Sequence, residues 1–205
     1  MSFDIGHSPS KMLAKRWKAI ALGGLAVAFV SFVASVAIPL EYRADAQVLI
    51  ISRSRYGVDP YTVVKSAERI GENLVQLVKT DDFYRKVVAQ PQYTLDLSRF
   101  LNVDERTRRK RWARSVNASV VFGTGVLNVS AYHRSPQEAE RFAGAAADAL
   151  VAYGAEYVGG DVALKVVNPA IATRVPVRPN VLVNALVGFV LGVLLMGVLV
   201  VKRRG

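Results

Sequence analysis

The sequence predicts an α+β fold: two transmembrane helices flanking one extracytoplasmic α+β domain, itself a small mixed sheet packed by helices. Three observations carry this. Two apolar blocks, residues 19–40 and 181–201, contain no ionisable side chain. The 140 residues between them mix apolar patterns of period two and of helical period. Lysine and arginine crowd the outer flank of both blocks.

As helices the two blocks measure ~33 and ~32 Å, matching a hydrocarbon core of ~30 Å. A cleaved signal peptide is the alternative for the first block. Lys11, Lys15, Arg16 and Lys18 form a basic leader, and Ser35-Val36-Ala37 is a small-x-small triplet. An ordinary apolar region in such a peptide runs about 7–15 residues, and Pro39 makes a poor cleavage site, so the block reads as an uncleaved anchor. Basic residues before the first span, and Lys202, Arg203 and Arg204 after the second, place both ends in the cytoplasm. The expected order is a cytoplasmic tail (1–18), a span (19–40), an extracytoplasmic domain (41–180), a span (181–201) and a cytoplasmic tail (202–205). The chain carries a formal net charge of +11. About half of it lies in the two tails, which suits anionic lipid head groups and excludes nucleic acid as the main partner. There is no cysteine, so no disulfide holds the domain.

Within 41–180, Tyr42, Ala44, Ala46, Val48 and Ile50 alternate and predict a strand directly after the first span. Residues 52–61, with Gly57 and Pro60, read as a loop. Val63, Ala67, Ile70, Leu74 and Leu77 make one helical stripe. Thr80-Asp81-Asp82 caps a second short helix through Val88, which Pro91 ends. Residues 104–115, "DERTRRKRWARS", predict a basic helix. "VNASVVF" and "VLNVSAY" flank Gly123-Thr124-Gly125 as a hairpin. Ser135, Pro136 and Glu138 open a long helix as N-cap, N1 and the N3 arm of a capping box. It runs to about Val158 on a stripe of Ala139, Phe142, Ala143, Ala146, Leu150, Tyr153 and Tyr157, and Gly159-Gly160 stop it. "ALKVVN" (163–168) is the last strand. The first and last strands each adjoin a span, so both belong near the bilayer, in one sheet.

The stretch 169–180 reads as a stiff membrane-junction strut. Pro176 and Pro179 hold Val175 and Arg178 extended, Pro169 begins it, and Asn180 N-caps the following helix. Arg174 and Arg178 sit where they reach lipid phosphates. Both spans carry small residues for close helix–helix packing, within or between chains: Gly24, Ala28, Ser31 and Ser35 in the first, Gly188 and Gly192 in the second.

Arg106, Lys110 and Arg114 fall at i, i+4 and i+8 of the basic helix. They form a candidate anion-binding face for lipid phosphates or acidic saccharide, against the plainer reading of a solvated surface. Trp112 reads as a packing residue. No catalytic group stands out. Asp81-Asp82 is a cap, Ser54, Ser98 and Ser119 lie in no nucleophile elbow, and "GTG" lacks the rest of a phosphate-binding fingerprint. With no cysteine and only His7 and His133, the latter read as a surface residue, no metal site or cofactor is expected. The chain reads as a non-enzyme.

"EYRADAQVLI" after the first span, "LNVSAYHRSPQEAERFAGAAADALVAY", and "VVNPAIATRVPVRPNVLVNALVGFVLGVLL" together resemble the Wzz-type chain-length determinants, or polysaccharide co-polymerases. The junction, with Pro169, Ala170, Pro176, Pro179 and Asn180, is the most specific part; residues 52–115 are only loosely similar. The resemblance implies an inner-membrane homo-oligomer that stands as a ring of external domains. It implies partnership with a Wzy-type membrane polysaccharide polymerase or exporter, and control of lipopolysaccharide or exopolysaccharide chain length without catalysis. The domain is shorter than in long-stalked members, so the ring is expected to be flat. The tail "KRRG" carries no P-loop or tyrosine cluster, so no fused kinase is expected and a separate tyrosine kinase is a lesser partner. The alternatives are a structural scaffold, or a two-span sensor subunit, of another cell-envelope complex.

Overall fold

The computed structural model describes residue 13 and residues 15–52, 59–159 and 162–202. The elements, in chain order, are α1 (Trp17–Val36), β1 (Tyr42–Ser52), α2 (Pro60–Leu77), α3 (Asp81–Val88), α4 (Glu105–Ser115), β2 (Val116–Val120), β3 (Val126–His133), α5 (Pro136–Val158), β4 (Val162–Ala172) and α6 (Val181–Lys202). The chain divides into two compact units. One is Glu41–Val177; the other joins the two ends, Met1–Leu40 and Arg178–Gly205.

In the sheet-bearing unit the four strands lie in the order β2-β3-β1-β4, and every pairing is antiparallel. The sheet is therefore not mixed, as the sequence suggested. The reason lies in the crossovers. The helical connection from β1 to β2 straddles β3, and α5, linking β3 to β4, straddles β1. Each crossover still joins strands of like direction, but an antiparallel strand fills the gap between them. This is the split β-α-β arrangement.

Alternation decides which face is covered. Ala44, Ala46, Val48 and Ile50 of β1 are buried, with Leu127, Val129 and Ala131 of β3 and Val162 and Leu164 of β4. Helix α5 packs across β4, β1 and β3, while α2 packs on β2 and β1 and touches α5. Alanines at 139, 143, 146, 147 and 149 of α5 are buried and let it lie close to the strands. The opposite face carries Ser119, Asn128, Gln47 and Asn168 in one row across all four strands.

Local signals explain the helix starts. The side chains of Asp59, Thr80, Asp104 and Ser135 each accept a bond from the backbone N–H three residues on. Ser135 caps α5 as expected, but the capping box is half made. Glu138 turns outward to accept from the Asp96 N–H at 2.9 Å and to pair with Arg141. Helix α2 begins at Pro60, inside the stretch read as loop; residues 53–58, with Ser54 and Gly57, lie outside the described residues. At the hairpin, Gly123 takes φ +72°, which glycine adopts without Cβ strain.

In the other unit, α1 and α6 pack along one another. Both are long and apolar enough to cross a membrane. Helix α1 stops at Val36, short of the expected Leu40. Ile38 precedes Pro39, and a residue before proline avoids the α region. Helix α6 starts at Val181, where Asn180 Oδ1 accepts from the Val183 N–H at 3.2 Å.

Candidate functional site

Three surfaces carry the residues singled out from sequence. The first is the contact between α1 and α6. A Cβ on Gly192 would lie 2.8 Å from Gly23 O and Gly24 Cα, and one on Gly188 would lie 2.7 Å from Ser31 Cβ. Backbone atoms cannot yield, so only glycine permits this approach. Ser31 Oγ donates to Asn184 O at 2.9 Å, and Asn184 Nδ2 donates to Ser35 Oγ at 2.9 Å. The small residues of the two helices thus face each other inside one chain. Gly24, Ser35, Gly188 and Gly192 are buried there, and Ala28 is half-buried. Asn184 was missed from sequence. Its signal was a lone carboxamide in an otherwise apolar run, where a polar side chain needs a partner.

The second is the junction. Pro169 does not open a strut; it lies within β4, which continues to Ala172. β4 is an edge strand, where a missing N–H costs no ladder bond. Beyond it the backbone bends at Arg174, Val175 and Pro179, so the expected continuous extended strut is not present. Two backbone bonds shape its first part. Thr173 N–H donates to Arg43 O at 2.7 Å, and Val177 N–H donates to Glu41 O at 2.8 Å. Residues 173–177, including Pro176, form a strap along Glu41 and the start of β1. Arg178, Pro179 and Asn180 belong to the other unit.

The third is α4. Trp112 is fully buried, with Nε1–H donating to Val78 O at 2.9 Å. Its ring meets Tyr84 at 5.2 Å and Phe100 at 6.0 Å, and Phe100 meets Phe142 at 6.1 Å. At about 100° per residue, Lys110 and Arg114 stand about 160° around the helix from Trp112, and Arg106 about 120°. All three are exposed. The side chains of Arg106 and Lys110 form no ion pair among the described residues. Arg108 and Arg111 point elsewhere. Arg108 binds Asp81 at 2.9 Å, and Arg111 donates to Arg99 O at 2.6 Å.

Asp81 was read as part of a cap, yet Thr80 is the cap. Asp81, 9% exposed, instead ties α3 to α4 by accepting from both Arg85 and Arg108. Burial pushes its carboxyl up, but the two guanidinium groups together bring it below the usual range. Asp82 accepts from Tyr157.

His133 is likewise not a surface residue: it is 7% exposed and stacks on Phe142. Period two puts it on the core side of β3. Nδ1 accepts from the Ser135 N–H at 3.2 Å, and Nε2 has no hydrogen-bond partner. Burial, then the charge of Arg99, hold the imidazole below its usual value.

A groove of about 450 Å³ beside α5 and β4 was not foreseen; Tyr93, Arg141, Asp148 and Pro169 line it. Tyr93 donates to Asp148 at 2.8 Å, and burial with that carboxylate pushes the phenol up to about 12. Sequence separation hid it, because 93 and 148 meet only through the α5 crossover. Among the described residues no group of three or more histidine and acidic side chains is placed to hold a metal ion. His7, Lys11, Arg203 and Arg204 lie outside the described residues. Comparison of the sequence with protein-family models and with curated proteins gives no match.

Proposed function

We propose that this chain is a non-enzymatic inner-membrane protein that oligomerises and regulates polysaccharide chain length or export, beside a membrane polysaccharide polymerase. One observation carries the reading. The first and last strands, β1 and β4, are neighbours in the sheet, and the Val177–Glu41 bond holds the two ends of the unit together. Each end continues into a helix apolar enough to span a bilayer. The large apolar side chains of those helices, such as Leu22, Phe29, Leu182 and Leu194, stand exposed rather than buried, which suits a hydrocarbon solvent. A core helix of a water-soluble protein has the opposite pattern.

In this reading the helix pair anchors a rigid α+β head outside the cytoplasm by both of its ends. The order of span, strand, crossover helices, strand and span is the order in which the sequence resembles the Wzz-type determinants. Regulation then depends on surfaces presented repeatedly by an oligomer, with no bond made or broken by the chain. A gel of surface polysaccharide from a deletion strain tests the reading. The expected result is an altered length distribution, restored by the intact gene. An unchanged distribution with loss of another envelope complex identifies a scaffold instead. Protease added to spheroplasts should cut the head; an uncut head refutes the topology.

A further inference from the structure

The exposed face of α4 lies at one particular end of the sheet-bearing unit. Val116, the residue after α4, pairs with Ala131, and Ala131 pairs with Ala44, three residues from Glu41. Arg111 of α4 donates to Arg99 O, and Arg99 is ion-paired with Glu41 at 2.7 Å. Glu41 in turn is bonded to Val177. Helix α4 is therefore at the end where both chain termini leave the unit toward α1 and α6. This end is basic. Beyond Arg106, Lys110 and Arg114, it exposes Arg134, which follows the Tyr42 partner His133, and Arg174, which follows Thr173. It is also partly apolar: Leu101 is 58% exposed and Val175 is 66% exposed. The two features together match a bilayer interface, where cations meet phosphates and aliphatic groups reach the acyl boundary.

We propose that this end is a foot that rests on anionic phospholipid head groups, with Arg106, Lys110 and Arg114 as its electrostatic contact and Leu101 and Val175 as its apolar contact. The inference rests on the membrane reading of α1 and α6. The buried Trp112 fixes the helix about its axis, so positions 106, 110 and 114 face outward. An anionic surface attracts the row only within about 10 Å, the screening length of ordinary salt, so the foot responds to lipid composition and to salt.

Acetylation of lysines provides the test. Lys110 is in the foot; Lys165, exposed and paired with Leu49, stands about 26 Å along the sheet from Glu41 and serves as internal reference. The full chain is placed in nanodiscs of phosphatidylcholine alone or with phosphatidylglycerol, and labelling is followed by mass spectrometry. The expected result is that Lys110 labelling slows about fivefold in anionic discs, the factor that one lysine's attraction to such a surface corresponds to. Lys165 stays unchanged, and high salt restores Lys110. Arg106→Ala with Arg114→Ala, checked for folding by circular dichroism, should shrink the effect. Equal Lys110 labelling in both discs overturns the foot and leaves the membrane anchor standing. A chain that enters neither disc overturns both. Slowing in neutral discs by added acidic oligosaccharide or inorganic phosphate, without slowing by phosphatidylglycerol, reassigns the face to a soluble anion.

Discussion

The close approach of α1 and α6 invites a covalent test. The Cβ of a residue at 188 would lie 2.7 Å from Ser31 Cβ, whereas a disulfide needs about 3.5–4.5 Å between Cβ atoms. An opening of about 1 Å brings Ser31→Cys and Gly188→Cys into range. Ser31→Cys also removes the hydroxyl that donates to Asn184 O, a loss of about 0.6 kcal/mol for a membrane-helix bond. Overpacking adds about 1–3 kcal/mol, small enough for the pair to stay together. The natural chain has no cysteine, so only the introduced pair reacts. After oxidation in detergent, a maleimide-polyethylene-glycol gel should show both thiols lost at monomer size. Either single-cysteine variant should keep its thiol. A dominant dimer band, or two thiols still reactive, would refute a helix pair inside one chain. Adding Gly192→Leu to the cysteine pair should lower the cross-linking yield, because its side chain meets the backbone of Gly23 and Gly24.

Four further outcomes follow from the head. Trp112→Ala should destabilise it by about 3–5 kcal/mol, and Trp112→Phe by about 1–3 kcal/mol through the orphaned Val78 carbonyl; urea titration in detergent, followed by circular dichroism, measures both. Arg108→Ala should cost about 1.5–3 kcal/mol by removing charged hydrogen bonds to the buried Asp81, whereas Arg106→Ala should fall within about 0.5 kcal/mol of wild type. His133 has a folded value below its usual one through burial and Arg99, opposed by Asp96, Glu138 and Glu41, so the unfolded chain binds the proton first. Stability should hold above pH about 6.5 and decline as pH falls below it; the melting temperature of His133→Gln should decline less over that window, and equal pH profiles would count against the assignment. On the proposed function, Pro176→Ala with Pro179→Ala should alter polysaccharide length at unchanged protein level, since the strap and the link into α6 each lose one fixed φ angle; wild-type length would remove any role for the junction.

Much of this molecule was legible because it rests on local physics. The alternation in β1, the glycine loop at 123–125, the caps at Thr80 and Ser135, and the two charge-free blocks are each set by residues within a few positions of one another. So was the outward row of Arg106, Lys110 and Arg114, because helical period alone places it opposite Trp112. The sheet was not legible in its pairing. Whether β4 runs beside β1 parallel or antiparallel depends on which strand each crossover straddles, and no short stretch encodes that. Pro169 looked like the end of the last strand because a central strand would exclude it; only the edge position of β4 lets it stay. His133 looked exposed beside Arg134, yet the register of β3 turns it onto Phe142. Asp81 reached Arg108, and Tyr93 reached Asp148, across long stretches of chain. The sequence by itself determined the elements, their amphipathic faces and the two apolar helices, since period and composition act over a few residues. Tertiary structure alone decided pairing direction, the meeting of Asn184 with Ser31 and Ser35, and the burial of His133, since these depend on contacts between residues far apart in the chain.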